Sequence, residues 1–157
     1  MKGFVIADAG HVVNALPPVD MTGGKSTDRM SMKLHHHVTF ILQIGVSAAA
    51  VTSIVVNAAD AASSGNSEAI PFSYYSEETA LGDTLGARTV AASTGITSPT
   101  ANDNTFYVIE IDAAELPEDK PWVYITIANG ANSVIGSCIA ILSGSRYGHT
   151  ENETVIA

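Results

Sequence analysis

The sequence predicts an all-β fold, a jelly-roll-like β-sandwich of about eight strands with arms at its N- and C-termini. Residues 30–45 alternate apolar and polar side chains, which is the pattern of a strand with one face in a core. Short β-branched and aromatic runs recur along the chain, separated by Gly, Pro and Asn. Charged residues make up only 15% of the chain. This composition suits strands and turns better than long amphipathic helices.

The stretch of residues 30–45 is the strongest of these signals. Every even-numbered residue in it except His36 is apolar, and the odd-numbered residues up to Gln43 are polar except Ile41. At about 3.3 Å per residue the stretch would be roughly 50 Å long, far beyond a usual strand. We therefore expect a bent central strand, or two strands end to end that change sheet near the histidines.

A chain of 157 residues fits a single domain, which can bury roughly two thirds of its unfolded surface. We interpret residues 1–29 as an N-terminal strand or arm with a Gly-rich loop, residues 30–147 as the β-sandwich, and residues 148–157 as a polar C-terminal tail. Pro17 and Pro18 have no backbone donor, so we expect them to stop regular strand pairing.

The middle of the chain contains shorter strands. We predict a hairpin turn at residues 46–50 and a strand at residues 51–58. Two more strands are predicted, an edge strand at residues 69–76 and, last, a weak strand at residues 87–92. The strand at residues 69–76 is placed at a sheet edge because Pro71 cannot donate a hydrogen bond to neighbouring strands on both sides. Residues 59–67 and 93–104 are predicted loops and residues 81–85 a turn. The length of the second loop is typical of exposed functional loops.

The last third of the chain has the clearest strand pattern. Residues 105–112 and 122–128 are predicted strands, and residues 129–132 (N-G-A-N) are a predicted hairpin turn. Residues 134–142 are apolar at both odd and even positions. We therefore expect that strand to be buried on both faces, between two layers.

Charge and cysteine content exclude several classes of function. The chain has 7 Lys and Arg against 16 Asp and Glu, a formal net charge of −9. Such a surface repels phosphate backbones and anionic lipids, so we expect no direct nucleic-acid or membrane binding. The N-terminal apolar run is too short for a signal peptide, which predicts synthesis in a cytoplasm. The single Cys138 excludes an internal disulfide and is expected to be a buried, inert thiol.

Gly23, Gly24, Lys25 and Ser26 resemble the end of a phosphate-binding loop. The full motif needs a glycine at position 19, where this sequence has Val19, and it lies between a strand and a helix. Neither of these elements is predicted around the segment. We interpret it as a flexible loop.

His35, His36 and His37 invite comparison with a metal site. On a strand, His35 and His37 share a face and His36 points away, so the segment offers two ligands to one ion. A third would have to come from His11, His149 or a carboxylate, and no spacing requires it. We favour a polar step in a strand or a contact between subunits, because a metal site needs a full set of ligands. We predict no metal, no cofactor and no catalytic residue.

The apolar content points to an assembly. Hydrophobic residues make up 46% of the chain, which is more than one small sandwich is expected to bury. Surplus apolar surface together with two arms predicts a subunit of a homo-oligomer, a trimer or a dimer. The predicted subunit contacts are Phe4, Ile6, His35, His37, Arg146 and Tyr147.

Three segments carry a resemblance to a known family. They are the opening with H-V-V-N at residues 11–14, the long alternating stretch at residues 30–45, and the C-terminal strands. The last comprise Y-V-I-E-I-D-A-A-E-L, W-V-Y-I-T-I-A and a small-residue strand ending in S-R-Y. With these segments the chain resembles small tailed-bacteriophage virion proteins described as head decoration, capsid cement or minor structural proteins. The triple histidine and the residues after Tyr147 depart from that pattern.

The resemblance implies a sandwich domain that oligomerises on the outside of a phage head, contacts the major capsid protein and offers no catalytic residue. The expected location is therefore the exterior of the virion head, after synthesis in the host cytoplasm. One alternative places the same sandwich in a tail or fibre, as an adaptor or host-attachment module. Another, from a different class, is a metal-dependent or carbohydrate-active enzyme that uses His35, His37 and loop acids.

Overall fold

In a computed structural model, the chain folds into two antiparallel β-sheets packed face to face. The structure describes residues 3–77, 84–98, 104–147 and 154–156. Its elements are a one-turn helix α1 (Ile6–Ala9) and eleven strands: β1 (Gly10–Asp20), β2 (Lys25–Ser26), β3 (Met30–Ser31), β4 (His35–Ser47), β5 (Ser53–Ala59), β6 (Ser67–Ala69), β7 (Phe72–Glu77), β8 (Thr89–Ala91), β9 (Thr105–Asp112), β10 (Trp122–Ala128) and β11 (Val134–Ser145). The prediction of an all-β sandwich is confirmed. Among the described residues, no helix is long and apolar enough to span a membrane.

The two sheets differ in size. The six-stranded sheet has the order β1-β11-β4-β9-β7-β8, and the five-stranded sheet has the order β2-β10-β5-β6, with β3 also paired to β10. The apolar core lies between them. Its large members include Phe40, Phe72, Tyr107, Ile54 and Ile125, each no more than 2% exposed. A 3-10 turn, Ala113–Glu115, follows β9.

The long alternating stretch forms two strands, as expected. Met30–Ser31 pairs with β10 in the five-stranded sheet, and His35–Ser47 lies between β9 and β11 in the six-stranded sheet. The chain therefore changes sheet just before the histidines. In β4 the residues Val38, Phe40, Leu42 and Ile44 face the core and are at most 2% exposed. The period of two in the sequence thus identified the inner face correctly.

The N-terminal segment is less of an arm than expected. β1 pairs with β11 from Gly10 to Asp20, and β2 pairs with β10, so both strands belong to the sandwich. Pro17 and Pro18 do not end the ladder. The register slips between Leu16 and Val19, and such an irregularity accommodates residues that cannot donate a hydrogen bond.

The C-terminal residues 154–156 also return to the sandwich. Val155 is 2% exposed and belongs to the core, and its carbonyl accepts a hydrogen bond of 2.8 Å from the Ser31 amide. The end of the predicted polar tail is therefore packed on its own domain. The rest of that tail, residues 148–153, lies outside the described residues.

Two predicted hairpins are wrong. Residues 46–50 span the end of β4 and the loop after it, and residues 129–132 follow β10, but in each case the next strand lies in the other sheet. Residues 48–50 and 129–132 do lie between strands, while the sheet that the next strand joins is set by packing between the layers. The predicted edge strand at residues 69–76 is likewise two strands, β6 and β7, divided at Pro71. β7 lies inside the six-stranded sheet, between β8 and β9.

Two predicted strands have the observed bounds, Thr105–Asp112 and Trp122–Ala128. The expected weak strand is the short edge strand β8. In the loop that follows it, Ser98 is buried and its hydroxyl accepts a hydrogen bond from the Val51 amide at 3.1 Å. Residues 99–103 of that loop, and most of the predicted turn at residues 81–85, lie outside the described residues.

Candidate functional site

The outward side of the six-stranded sheet contains an exposed apolar region. β11 was expected to be buried on both faces, and this is wrong: Ile135 is 53% exposed and Ile139 is 41% exposed. The five-stranded sheet covers only the inner face of β11, and the described residues place no third layer on the other side. The expectation of surplus apolar surface is met at this strand. We define the outer apolar face by its outward-facing members, Val12, Ile41, Phe106, Val108, Ile135, Ile139 and Ile141.

The strand register aligns the centre of this face in one row. Ile139 pairs with Ile41, Ile41 with Val108, and Val108 with Tyr75. On the other side Ile139 pairs with Asn14 at the edge strand β1. Five neighbouring strands thus place an uncharged row across the sheet, as the centres of protein interfaces require.

The N-terminal segment before β1 is also apolar and exposed. Phe4, Val5 and Ile6 are 82%, 53% and 41% exposed, and α1 has no buried residue. Three consecutive exposed apolar residues are costly in water unless a partner covers them. Phe4 and Ile6 therefore have the exposure that the predicted subunit contacts need.

His37 lies beside the outer apolar face, held between two carboxylates. Its Nδ1 is 2.7 Å from Asp112 Oδ1, and its Nε2 is 2.7 Å from Glu110 Oε2. The Thr39 hydroxyl donates to the same Glu110 oxygen at 2.6 Å. The strand register brings these side chains together. His37 pairs with Asp112 and Thr39 with Glu110 across β4 and β9, so all four side chains lie on the same side of the sheet.

These contacts set the protonation of the group. The hydrogen bond to Glu110 and, to a smaller extent, that to Asp112 raise the pKa of His37 to about 9, against an opposing effect of burial. Burial would raise the pKa of Glu110, but the bonds from His37 and Thr39 lower it below its usual value. At neutral pH the group is therefore an imidazolium between two carboxylates.

Two alternative roles were considered for His37, a catalytic base and a metal ligand, and its contacts suit neither. Ser143 pairs with His37 on the opposite side from Asp112, so a Ser-His-Asp row exists on the sheet. However, His37 Nε2 faces Glu110, and a protonated ring cannot accept a proton from a hydroxyl. Both ring nitrogens already have carboxylate partners at 2.7 Å, so neither is open to a metal ion in this arrangement. The described residues contain no cluster of three or more His, Cys, Asp or Glu side chains arranged for a metal ion.

The remaining predicted contact residues fall into two groups. His35 is 1% exposed and its ring contacts the His11 ring edge-on, with centroids 6.3 Å apart. It is therefore buried within its own chain, and the predicted subunit contact at His35 has almost no exposed surface there. Arg146 and Tyr147 are exposed, and the Arg146 amide donates to the Leu34 carbonyl at 2.8 Å. His149 lies outside the described residues.

Two further sequence features have structural explanations. Lys25 and Ser26 form β2, and Gly23 and Gly24 have positive φ values of 76° and 89° in the turn before it. No helix follows, so the segment is a turn rather than a phosphate-binding loop. Cys138 is buried on the inner side of β11, and burial raises the pKa of its thiol to about 12. The expected inert thiol agrees with this environment.

A polar groove on the five-stranded sheet was not foreseen from the sequence. It has a volume of about 410 Å³, and its lining residues include Asp28, Arg29, Ser63, Tyr124 and Thr126. In β10, Tyr124 and Thr126 alternate with apolar residues, and this pattern could have indicated that they form one wall of the groove. Asp28 and Arg29 lie in a segment that sequence patterns described only as a loop.

Comparison with known proteins adds a structural neighbour. No protein-family model and no curated protein matches the chain. Among solved structures, the fold is similar to that of a protein described as SPBc2 prophage-derived protein YomS. The TM-score is 0.46 and the sequence identity 14%, over 84% of this chain and 92% of the other. Similarity of this degree supports no conclusion about function.

Proposed function

We propose that this protein is a non-enzymatic structural subunit of a tailed-phage virion that decorates and stabilises the exterior of the head. In this proposal it associates with copies of itself and binds the major capsid protein. The observation that carries the proposal is the outer apolar face, whose central row crosses five strands without a charge on an otherwise acidic protein. The sequence resemblance supplies the phage context.

The size of the outer apolar face suits a second copy of the chain. Five strands about 4.8 Å apart, with about eight residues each rising about 3.3 Å, give roughly 600 Å² for the outer apolar face together with its charged rim. A standard interface buries about 800 Å² per partner, so the face supplies most of one. A net charge of −9 opposes self-association in general. In this region, however, His37 compensates part of the charge of Glu110 and Asp112.

The N-terminal segment is suited to a different partner. Phe4, Val5 and Ile6 form a short protruding run rather than a surface. Such a run can insert into a pocket of a neighbouring protein, where a large aromatic side chain serves as an anchor. We assign it to the major capsid protein. A role as attachment point and spacer requires no reactive group.

Capsid binding can be tested with purified protein and phage heads assembled without it. We expect co-sedimentation with mature heads, and cryo-EM density for the sandwich on the head exterior. Replacing Phe4 and Ile6 together by serine should abolish co-sedimentation, because the apolar anchor is lost. Val90→Ser is the matched control, since Val90 is 70% exposed on the opposite edge strand β8.

Two results would contradict the proposal. One is failure of the wild-type protein to bind heads at any concentration tested. The other is a virion image that locates the protein in the tail or a fibre, which would favour the adaptor role.

A further inference from the structure

We propose that the polar groove on the five-stranded sheet is a binding site for neutral saccharides. The inference goes beyond a structural role in a virion and does not depend on it. The groove lies on the side of the sandwich opposite the outer apolar face. Its volume of about 410 Å³ falls within the range of roughly 300–1,000 Å³ typical of small-ligand sites.

Arg29 is held in place by three contacts. Its Nη1 donates to the carbonyl of Ala61 at 2.6 Å and to that of Ser64 at 3.4 Å, and its guanidinium lies 4.7 Å from the centre of the Tyr124 ring. Both hydrogen bonds use the same nitrogen, so donors remain on Nε and Nη2. A guanidinium fixed in this way loses little conformational entropy when it binds a ligand.

Asp28 lines the same groove with the opposite charge. Among the described residues, its carboxylate has no hydrogen bond and forms no ion pair with Arg29 or with any other cation. Two neighbouring residues of opposite charge therefore line one groove without neutralising each other. An anion would be repelled by Asp28 and a cation by Arg29.

The ligand that fits both charges is neutral and carries donors and acceptors side by side. Sugar hydroxyls do this: they donate to a carboxylate and accept from a guanidinium, and such charge-assisted bonds are the stronger kind. The walls continue this chemistry. Ser63 and Thr126 add hydroxyls, and the Asn57 amide donates to Thr126 Oγ1 at 3.1 Å.

Tyr124 supplies the apolar part of the site. It lies on the outward side of β10, with its hydroxyl donating to Ser67 Oγ at 3.1 Å, so its ring is fixed in position. An aromatic side chain beside hydroxyls and charges matches the amphipathic character of a sugar ring. The shallow groove and few contacts predict weak binding, with Kd on the order of 1 mM.

The experiment measures binding of four disaccharides, namely maltose, cellobiose, lactose and N,N′-diacetylchitobiose, by ligand-observed NMR. Trp122 is the only tryptophan in the chain and lies two residues from Tyr124, so its fluorescence gives a second readout. We expect at least one disaccharide to bind with a Kd in the millimolar range. Asp28→Asn and Arg29→Lys should each weaken that binding about tenfold, because each removes one charge-assisted contact.

The matched controls are Asp8→Asn in α1 and Arg88→Lys. In the wild-type protein the Arg88 Nη2 donates to Ser73 on the other sheet, away from the groove. Both control variants should leave the Kd unchanged. Because Arg29 also anchors the loop around Ala61, thermal melting of Arg29→Lys checks the fold, and Asp28→Asn tests the site without affecting that anchor.

Three outcomes would overturn the inference. The first is that none of the four disaccharides binds. The second is that Asp28→Asn leaves the measured Kd unchanged. The third is that inorganic phosphate binds and Asp28→Asn strengthens its binding, which would make the groove an anion site.

Discussion

The two outer faces of the sandwich differ in what their side chains offer to a partner. On the six-stranded sheet, the central row through Ile139, Ile41 and Val108 is uncharged, and in the nearby charged cluster His37 compensates part of the charge of Glu110 and Asp112. On the five-stranded sheet, Tyr124 is flanked by Arg29 and by hydroxyl-bearing residues. One face therefore suits a large apolar partner and the other a small polar ligand. Both follow from strands that alternate, since alternation leaves the outward positions free to differ.

The largest effect is expected from a charge placed in the centre of the outer apolar face. Ile139→Asp would bury a carboxylate in the proposed self-interface, which costs several kcal/mol. We expect self-association to weaken at least about 100-fold, measured by sedimentation velocity or native mass spectrometry. Wild-type association should persist at high salt, because apolar contacts are not screened.

Ala69→Asp is the control for that variant, because Ala69 is exposed at the edge of the five-stranded sheet. It should leave the mass unchanged. If the wild-type protein is a monomer at high concentration, or if Ile139→Asp keeps the wild-type mass, the two faces do not differ in self-association.

A smaller effect is expected at the charged rim of the same face. The pKa of His37 is raised to about 9 in the folded protein from 6.5. Its stabilising contribution is therefore fully present below pH 6.5 and is lost as the pH rises through about 9. Glu110 has a lowered pKa in the folded protein. Its stabilising contribution is therefore present at neutral pH and is lost in the acid range, as the pH falls through that lowered pKa. His37→Gln should reduce the free energy of unfolding by about 1 kcal/mol near pH 6, a small value because the ring is partly exposed and water screens it.

Denaturant unfolding between pH 5 and pH 10 measures this contribution. The difference between wild type and His37→Gln should shrink towards pH 10. His36→Gln, in the exposed neighbour on the same strand, should match wild type throughout. A pH-independent difference for His37→Gln would mean that the ring contributes by packing and not by charge.

The smallest effect is expected beside Trp122. The Lys33 ammonium lies 6.0 Å from the indole centre, at the outer limit of a cation–π contact. Lys33→Ala should change the free energy of unfolding by less than about 0.5 kcal/mol and should shift Trp122 fluorescence slightly. A loss of more than 1 kcal/mol would indicate that the cations of this face have a structural role.

Sequence patterns identified the strands and the inner face well. The period of two in β4 and β9 places Phe40, Leu42, Tyr107 and Ile109 in the core, as observed. The candidate site was predicted only in part. His37 was singled out, but its partners Glu110 and Asp112 are more than seventy residues away, and no local pattern reports such a pairing. The groove between Arg29 and Tyr124 was missed for the same reason. The loop that contains Arg29 and the strand that contains Tyr124 come together only in the folded chain.

The sequence by itself determined that this is an all-β protein, where its main strands run and which of their side chains are apolar. That information is local, since alternation depends only on neighbouring residues. The tertiary structure alone decided which sheet each strand joins, and it separated β4 from β5 and β10 from β11. It also decided that β11 is covered on one side only, leaving Ile135 and Ile139 exposed. The physical reason is that an apolar residue is equally suited to a core and to an interface, and only the arrangement of the layers distinguishes them.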